Sequence, residues 1–126
     1  MQAFKTRLFA SWATGEGLDD DALASALLEM EQGLVDAHLG GQVVKKRVAV
    51  SGRGKRGSTR MLVAFKQGEK AFFIYGFAKS ARANVSNREL KALKLLAKVL
   101  LSYSGAMLSQ AVEAGELIPI EVRDNG

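Results

Sequence analysis

Apolar residues Phe4, Leu8, Phe9, Trp12 and Ala13 recur at helical spacing near the start of the chain, although the first few could equally begin a short edge strand. Gly15 and Gly17 interrupt that pattern. Leu18-Asp19-Asp20-Asp21 then reads as a helix start, with an Asp as N-cap and further acids facing the positive end of the helix dipole. Leu23, Leu27 and Met30 supply the buried stripe of this helix, and Gly33 its C-terminal stop. The acidic triplet lacks the alternate-residue spacing of a calcium loop, which favours the cap over a cation site.

The period then changes. Residues 43–50, 59–66 and 71–76 are rich in Val, Ile, Phe and Tyr and read as strands, with breaks at 51–58 and 67–69. The second break is short, so the strands on either side should form an antiparallel hairpin. Alternation places Met61, Val63 and Phe65 toward the core and Arg60, Leu62, Ala64 and Lys66 on the other side. The expected sheet therefore has one apolar and one basic face. After an irregular stretch at 77–85, Ser86-Asn87-Arg88-Glu89 forms a capping box that opens the clearest helix. Leu90, Leu93, Leu96, Ala97, Leu100 and Leu101 are its buried stripe. Lys91, Lys94 and Lys98 lie on its wet side, a solvated face rather than a second binding site. A short helix at 106–114 and a strand at 117–122 complete an expected single α+β domain over residues 1–126.

With 48% apolar residues the chain can build a real core. It has no cysteine, which excludes disulfides and Cys-based zinc sites. No apolar run approaches the roughly 18 residues of a membrane span. Met1-Gln2-Ala3-Phe4-Lys5 lacks a signal-peptide core, so the cytoplasm is the expected location and no membrane partner is expected. His38 is the only histidine and reads as a structural or surface residue. Without a His pair, Cys or clustered carboxylates in the basic zone, neither a metal nor another cofactor is expected.

Charge sharpens this picture. Residues 37–98 hold fifteen Lys or Arg but only two acids, Glu69 and Glu89, whereas both flanking segments are acidic. Self-repulsion on this scale opposes compaction unless a polyanion binds, and nucleic acid is the first candidate; a generally basic, solvated surface is the alternative. Gly52, Gly54 and Gly57 match G-x-G-x-x-G, but a strand rather than a helix follows, which removes the dinucleotide reading. What remains is a glycine loop studded with Arg53, Lys55 and Arg56, suited to phosphate-rich ligands. Tyr75 and Phe77, with Lys79 and Arg82 close behind, suit single-stranded RNA, whose bases stack on rings while phosphates meet cations. Tyr75 could equally be a core residue, and Phe73 favours the core.

Three motifs in order carry a resemblance: Lys45-Lys46-Arg47-Val48-Ala49, then Gly52-Arg53-Gly54-Lys55-Arg56-Gly57 leading to Arg60, then Phe73-Ile74-Tyr75-Gly76-Phe77-Ala78-Lys79. Together they resemble the RelE/HigB-like toxin family of bacterial type II toxin–antitoxin modules, over about residues 1–120. The resemblance implies a compact domain with N-terminal helices packed on a curved antiparallel sheet. It also implies an mRNA interferase: a metal-independent endoribonuclease that cuts ribosome-bound mRNA, leaves 2′,3′-cyclic phosphate and 5′-OH ends, and inhibits translation. Such sites use Lys as base and Arg to stabilise the phosphorane. By motif position, Lys55, Arg60 and Lys79 become the catalytic candidates. Lys45, Arg47, Arg53, Arg56 and Arg82 would hold RNA phosphates, and Tyr75 would stack a base or orient the substrate. The implied partners are mRNA, the ribosome and a cognate antitoxin of helix-turn-helix type. Two departures stand out: Phe77 where many relatives have Tyr, and Gly57-Ser58-Thr59-Arg60 where relatives often carry a second Gly. The rival expectation is a non-catalytic RNA- or ribosome-binding module on the same scaffold; a subunit serving only to assemble a repressor complex is a third.

Overall fold

The chain opens as a strand, β1 (Gln2–Thr6), and passes directly into α1 (Arg7–Glu16). Thr6 makes the switch: its backbone is extended, and its hydroxyl accepts the Phe9 N–H at 3.2 Å to cap the helix. Gly17, at φ 76°, ends α1 in the left-handed conformation that glycine tolerates best. α2 (Asp20–Glu31) starts on Asp19, whose carboxylate accepts the Ala22 N–H at 2.9 Å, and it buries Leu23, Ala26, Leu27 and Met30. β2 (Ala37–Gly40), β3 (Val43–Ala49), β4 (Ser58–Lys66) and β5 (Lys70–Ala78) follow, then α3 (Asn87–Leu101), α4 (Gly105–Glu113) and β6 (Leu117–Ile120). This computed structural model describes residues 1–49 and 58–121. The α3 capping box forms as expected: Ser86 Oγ accepts the Glu89 N–H and the Glu89 carboxylate accepts the Ser86 N–H.

All six strands join one sheet in the order β2-β3-β4-β5-β1-β6. β2, β3, β4 and β5 run antiparallel to their neighbours, as does β6 against β1, while β1 lies parallel to β5. The opening residues are thus an interior strand, not an edge. β2 has little signal in the sequence, because four residues including a glycine are too few to display alternation. The expected α+β domain is what the chain forms, with N-terminal helices on a largely antiparallel sheet and a long helix after the central strands.

The sheet faces depart from expectation. On one face α1 and α2 cover Met61, Val63, Ala71 and Phe73. On the other, α3 and α4 cover Val43, Leu62, Ala64, Phe72 and Ile74. Leu62 and Ala64 are 0% exposed, so the second face is not an open basic surface but the floor of a second core. The parity expected for β4 is right; what alternation within one strand cannot show is that a later helix returns to cover the other side. No single helix among the described residues is long and apolar enough to cross a membrane.

Register along β4 and β5 contains one break that matters for the site. Val63 pairs with Phe73 and Leu62 with Tyr75, so Ile74 is an extra residue on β5, a β-bulge. Beyond it the side-chain parity of β5 is inverted. Tyr75 pairs with Leu62 and Phe77 with Arg60, which brings these two rings to the face of Arg60 rather than the face of Phe73. Gly76 then lies on the α1 side beneath the Trp12 ring, where a Cβ would come within 2.2 Å of that ring.

Candidate functional site

Side chains on the α3 side of the sheet form rows across β3, β4 and β5. Val43, Ala64 and Phe72 make an apolar row; Lys45, Leu62 and Tyr75 make the next; Arg47, Arg60 and Phe77 make the third. One step further, the Lys79 N–H donates to Ser58 O at 3.2 Å, so the hairpin continues into Lys79, whose side chain is exposed. The surface therefore grades from apolar beneath α3 to basic at the strand ends. Five expected site residues, Lys45, Arg47, Arg60, Tyr75 and Lys79, converge there through cross-strand register alone. Arg53, Lys55 and Arg56 lie outside the described residues.

Arg47 and Arg60 are paired directly across the strands. Opposed positions hold their Cβ atoms about 4.5–5.5 Å apart, so like charges there repel and favour an anion between or above them. Arg60 is largely buried and held in place. Its Nη1 donates to Ser58 Oγ at 2.7 Å, and its Nε lies 3.6 Å from Asp36 Oδ2. Arg47 and Lys79 are exposed and Lys45 is half-buried, and none of the three has an ion pair among the described residues. Lys46, one position earlier than Arg47, faces the α2 side. Its Nζ is 3.0 Å from Glu29 Oε1 and donates to Leu34 O at 3.0 Å, so its charge is neutralised locally.

Tyr75 and Arg82 meet through a residue whose sequence role was only to cap α3. Arg82 Nη1 donates to Glu89 Oε2 at 3.0 Å and Nη2 donates to Glu89 Oε1, a two-pronged ion pair. The Tyr75 hydroxyl donates to Glu89 Oε2 and accepts from Arg82 Nη1, both at 3.1 Å. Arg82 Nε donates to Asn84 O at 2.9 Å, and the guanidinium carbon stands 5.9 Å from the centre of the Phe77 ring. The Arg82 contacts, with help from Ser86, hold the Glu89 carboxyl well below the usual carboxylate range. Burial, then the Glu89 contact, pushes the Tyr75 phenol upward. The Glu89 contact raises Arg82 further.

Glu89, Asp36 and Ser58 thus contact candidate site residues although sequence analysis assigns them no such role. The available signal for Glu89 was its isolation, one of two acids among fifteen cations in residues 37–98. Phe77 is 4% exposed, and its ring backs the basic row instead of offering a free stacking surface. Phe73 is fully buried against Phe9, and His38 is exposed on β2 away from the rows. No group of three or more His, Cys, Asp or Glu residues that could hold a metal ion occurs among the described residues. Beside the site, a groove of about 870 Å³ between α1 and α3 is lined by Leu8, Trp12, Ile74, Tyr75, Leu93 and Leu96.

Comparison with curated proteins finds no match. The family model described as the RelE toxin of the RelE/RelB toxin–antitoxin system matches residues 1–120, which takes in every strand and helix of the fold. With nearly the whole domain matched, the chain belongs to the RelE toxin family, and its biology includes a cognate antitoxin.

Proposed function

We propose that this toxin is a metal-independent endoribonuclease acting on mRNA, in particular mRNA on the ribosome. The observation that carries this reading is the basic row of Arg47 and Arg60 beside Lys45, Tyr75 and Lys79, at the end of the sheet where α3 stops short. In this reading the ribose 2′-oxygen attacks the adjacent phosphorus as a Lys takes its proton. Lys55 and Lys79 are the candidates for that role and for protonating the leaving 5′-oxygen. The P–O5′ bond breaks to leave a 2′,3′-cyclic phosphate and a 5′-OH. Arg60, held by Ser58 and Asp36, stabilises the charge that builds on the non-bridging oxygens. Lys45, Arg47, Arg53, Arg56 and Arg82 bind flanking phosphates, and Tyr75 orients the substrate. Induced expression in a bacterial host, with mapping of mRNA ends bearing 5′-OH, tests it. New 5′-OH ends within coding frames together with growth arrest support cleavage, whereas normal growth from verified soluble protein overturns it.

A second reading, a non-catalytic RNA- or ribosome-binding module, is favoured by one observation. The Phe77 ring is buried and has no hydroxyl to offer, and the nearby Tyr75 hydroxyl is already engaged on both sides. Ribosome binding without new RNA ends would select it.

The antitoxin is, in our reading, a helix-turn-helix protein that lays an acidic amphipathic segment along the outer side of α3. Leu96, expected in the buried stripe, is instead exposed there with Leu95 and Val99 beside Lys91, Lys94 and Lys98, and the apolar band runs into the groove that Tyr75 lines. Such a segment would cover the site from the α3 side. Glu at both Leu95 and Leu96 should abolish co-purification with the antitoxin, while Leu28→Glu, exposed on α2, should not.

A further inference from the structure

We infer that Glu89 is a built-in competitor for phosphate: its carboxylate occupies the position that an RNA phosphate takes on Arg82, and so sets how tightly and how fast RNA engages. This rests on the RNA reading above. The two-pronged contact from Arg82 Nη1 and Nη2 to the two Glu89 oxygens uses the fork that guanidinium offers a phosphate. The third nitrogen, Nε, donates to Asn84 O, and the Phe77 ring lies beneath, so the fork points in one direction whichever anion fills it. The Tyr75 hydroxyl is oriented by the same pair and could donate its hydrogen bond to a phosphate oxygen in place of Glu89 Oε2.

Three features argue against a purely structural pair. Glu89 is already held by the Ser86 N–H at 2.9 Å as part of the α3 cap, so it does not need Arg82 to fix its position. The side chains of Arg82 and Glu89 are 35% and 36% exposed, which leaves the pair open to exchange with a ligand. The other acid of the basic zone, Glu69, is spent on Lys66 at 3.3 Å, on the loop at the opposite end of β4.

The discriminating substitution is Glu89→Gln, because Gln keeps the oxygen that closes the capping box and loses the charge. The full-length protein is titrated with a fluorescent 12-nucleotide single-stranded RNA, 2′-O-methylated to prevent cleavage, over a range of KCl concentrations. Glu89→Gln should bind about tenfold tighter at low salt, the equivalent of one further charge-assisted hydrogen bond to the RNA. Its salt dependence should steepen by about 0.7 in log Kd per log salt, as one more phosphate on a single strand is neutralised. Arg82→Ala should erase both effects when combined with Glu89→Gln. Unchanged affinity and slope in a folded Glu89→Gln protein would leave Glu89 a helix cap and overturn the inference. Glu89→Ala, which loses cap and charge together, should show the same tighter binding with lower stability; tighter binding in neither variant has the same overturning force. If the wild-type protein and Arg47→Ala bind this RNA equally and without salt dependence, it is the RNA reading that falls.

Discussion

The two faces of the central sheet handle identical raw material in opposite ways. On the α1/α2 face the cover extends to the strand ends: Val48 packs on that core, Thr59 is 2% exposed, and Lys46 is neutralised by Glu29 and Leu34 O. On the α3/α4 face the cover ends at the row of Lys45, Leu62 and Tyr75, and Arg47 and Arg60 stand side by side beyond it. Lys46 and Arg47 are consecutive in sequence and differ only in which side of the pleat they occupy. One supports the fold, and the other stays exposed, where the proposed function has it meet an RNA phosphate. Of Arg47 and Arg60, the first stays in solvent, whereas the largely buried Arg60 has Ser58 and Asp36 as partners. An unpartnered charge taken out of water would cost more than packing there returns.

The largest expected effect lies on the closed face. Phe73→Ala removes a fully buried ring packed on Phe9 and should destabilise the protein by about 3–5 kcal/mol, read as a drop in urea midpoint. The open end should respond in function instead. Arg60→Ala should lower RNA cleavage by about 10²–10³-fold. Its urea midpoint should stay close to wild type, because relief of the Arg47 repulsion offsets loss of the Asp36 attraction. A large loss of stability in that variant would break the proposed division of labour. Gly76→Ala is a finer probe, since its Cβ points at Trp12 on the closed face while Tyr75 and Phe77 on either side belong to the open one. It should cost about 1–3 kcal/mol through overpacking and shift Trp12 fluorescence.

The smallest effect is in pH. Glu89 has its folded-state pKa depressed below its ordinary value of 4.5, so its stabilisation is fully present above that value. The stability difference between wild type and Glu89→Gln should therefore be flat from neutral pH down to about pH 5 and shrink only as pH falls further. A difference that stays flat below pH 5 as well would mean that the carboxylate is not held by Arg82.

Much of the architecture was legible from short stretches. Asp19 and Ser86 mark helix starts that form where the sequence places them, and Gly33 and residues 67–69 mark turns that form as turns. The β4 parity of Met61, Val63 and Phe65 holds as well. The site was legible as a collection of cations and one aromatic, but not as an arrangement. Glu89 read as a cap because the capping box is complete within four residues, which hides that the same carboxylate also reaches Arg82 and Tyr75.

What the sequence determined by itself is most of the elements, β1 and β2 excepted, and the confinement of positive charge to the middle of the chain. Caps, turn glycines and alternation act within one helical turn or one hairpin, so neighbouring residues suffice to specify them. The tertiary structure alone decided which cations meet and which are neutralised. That outcome depends on the β3–β4 register opposing Arg47 to Arg60, and on the Ile74 bulge turning Tyr75 and Phe77 toward them. It depends equally on α3 returning over the second face and carrying Glu89 to Arg82. Each is a contact between separate elements, and the energy of such contacts appears only once the chain has closed on itself.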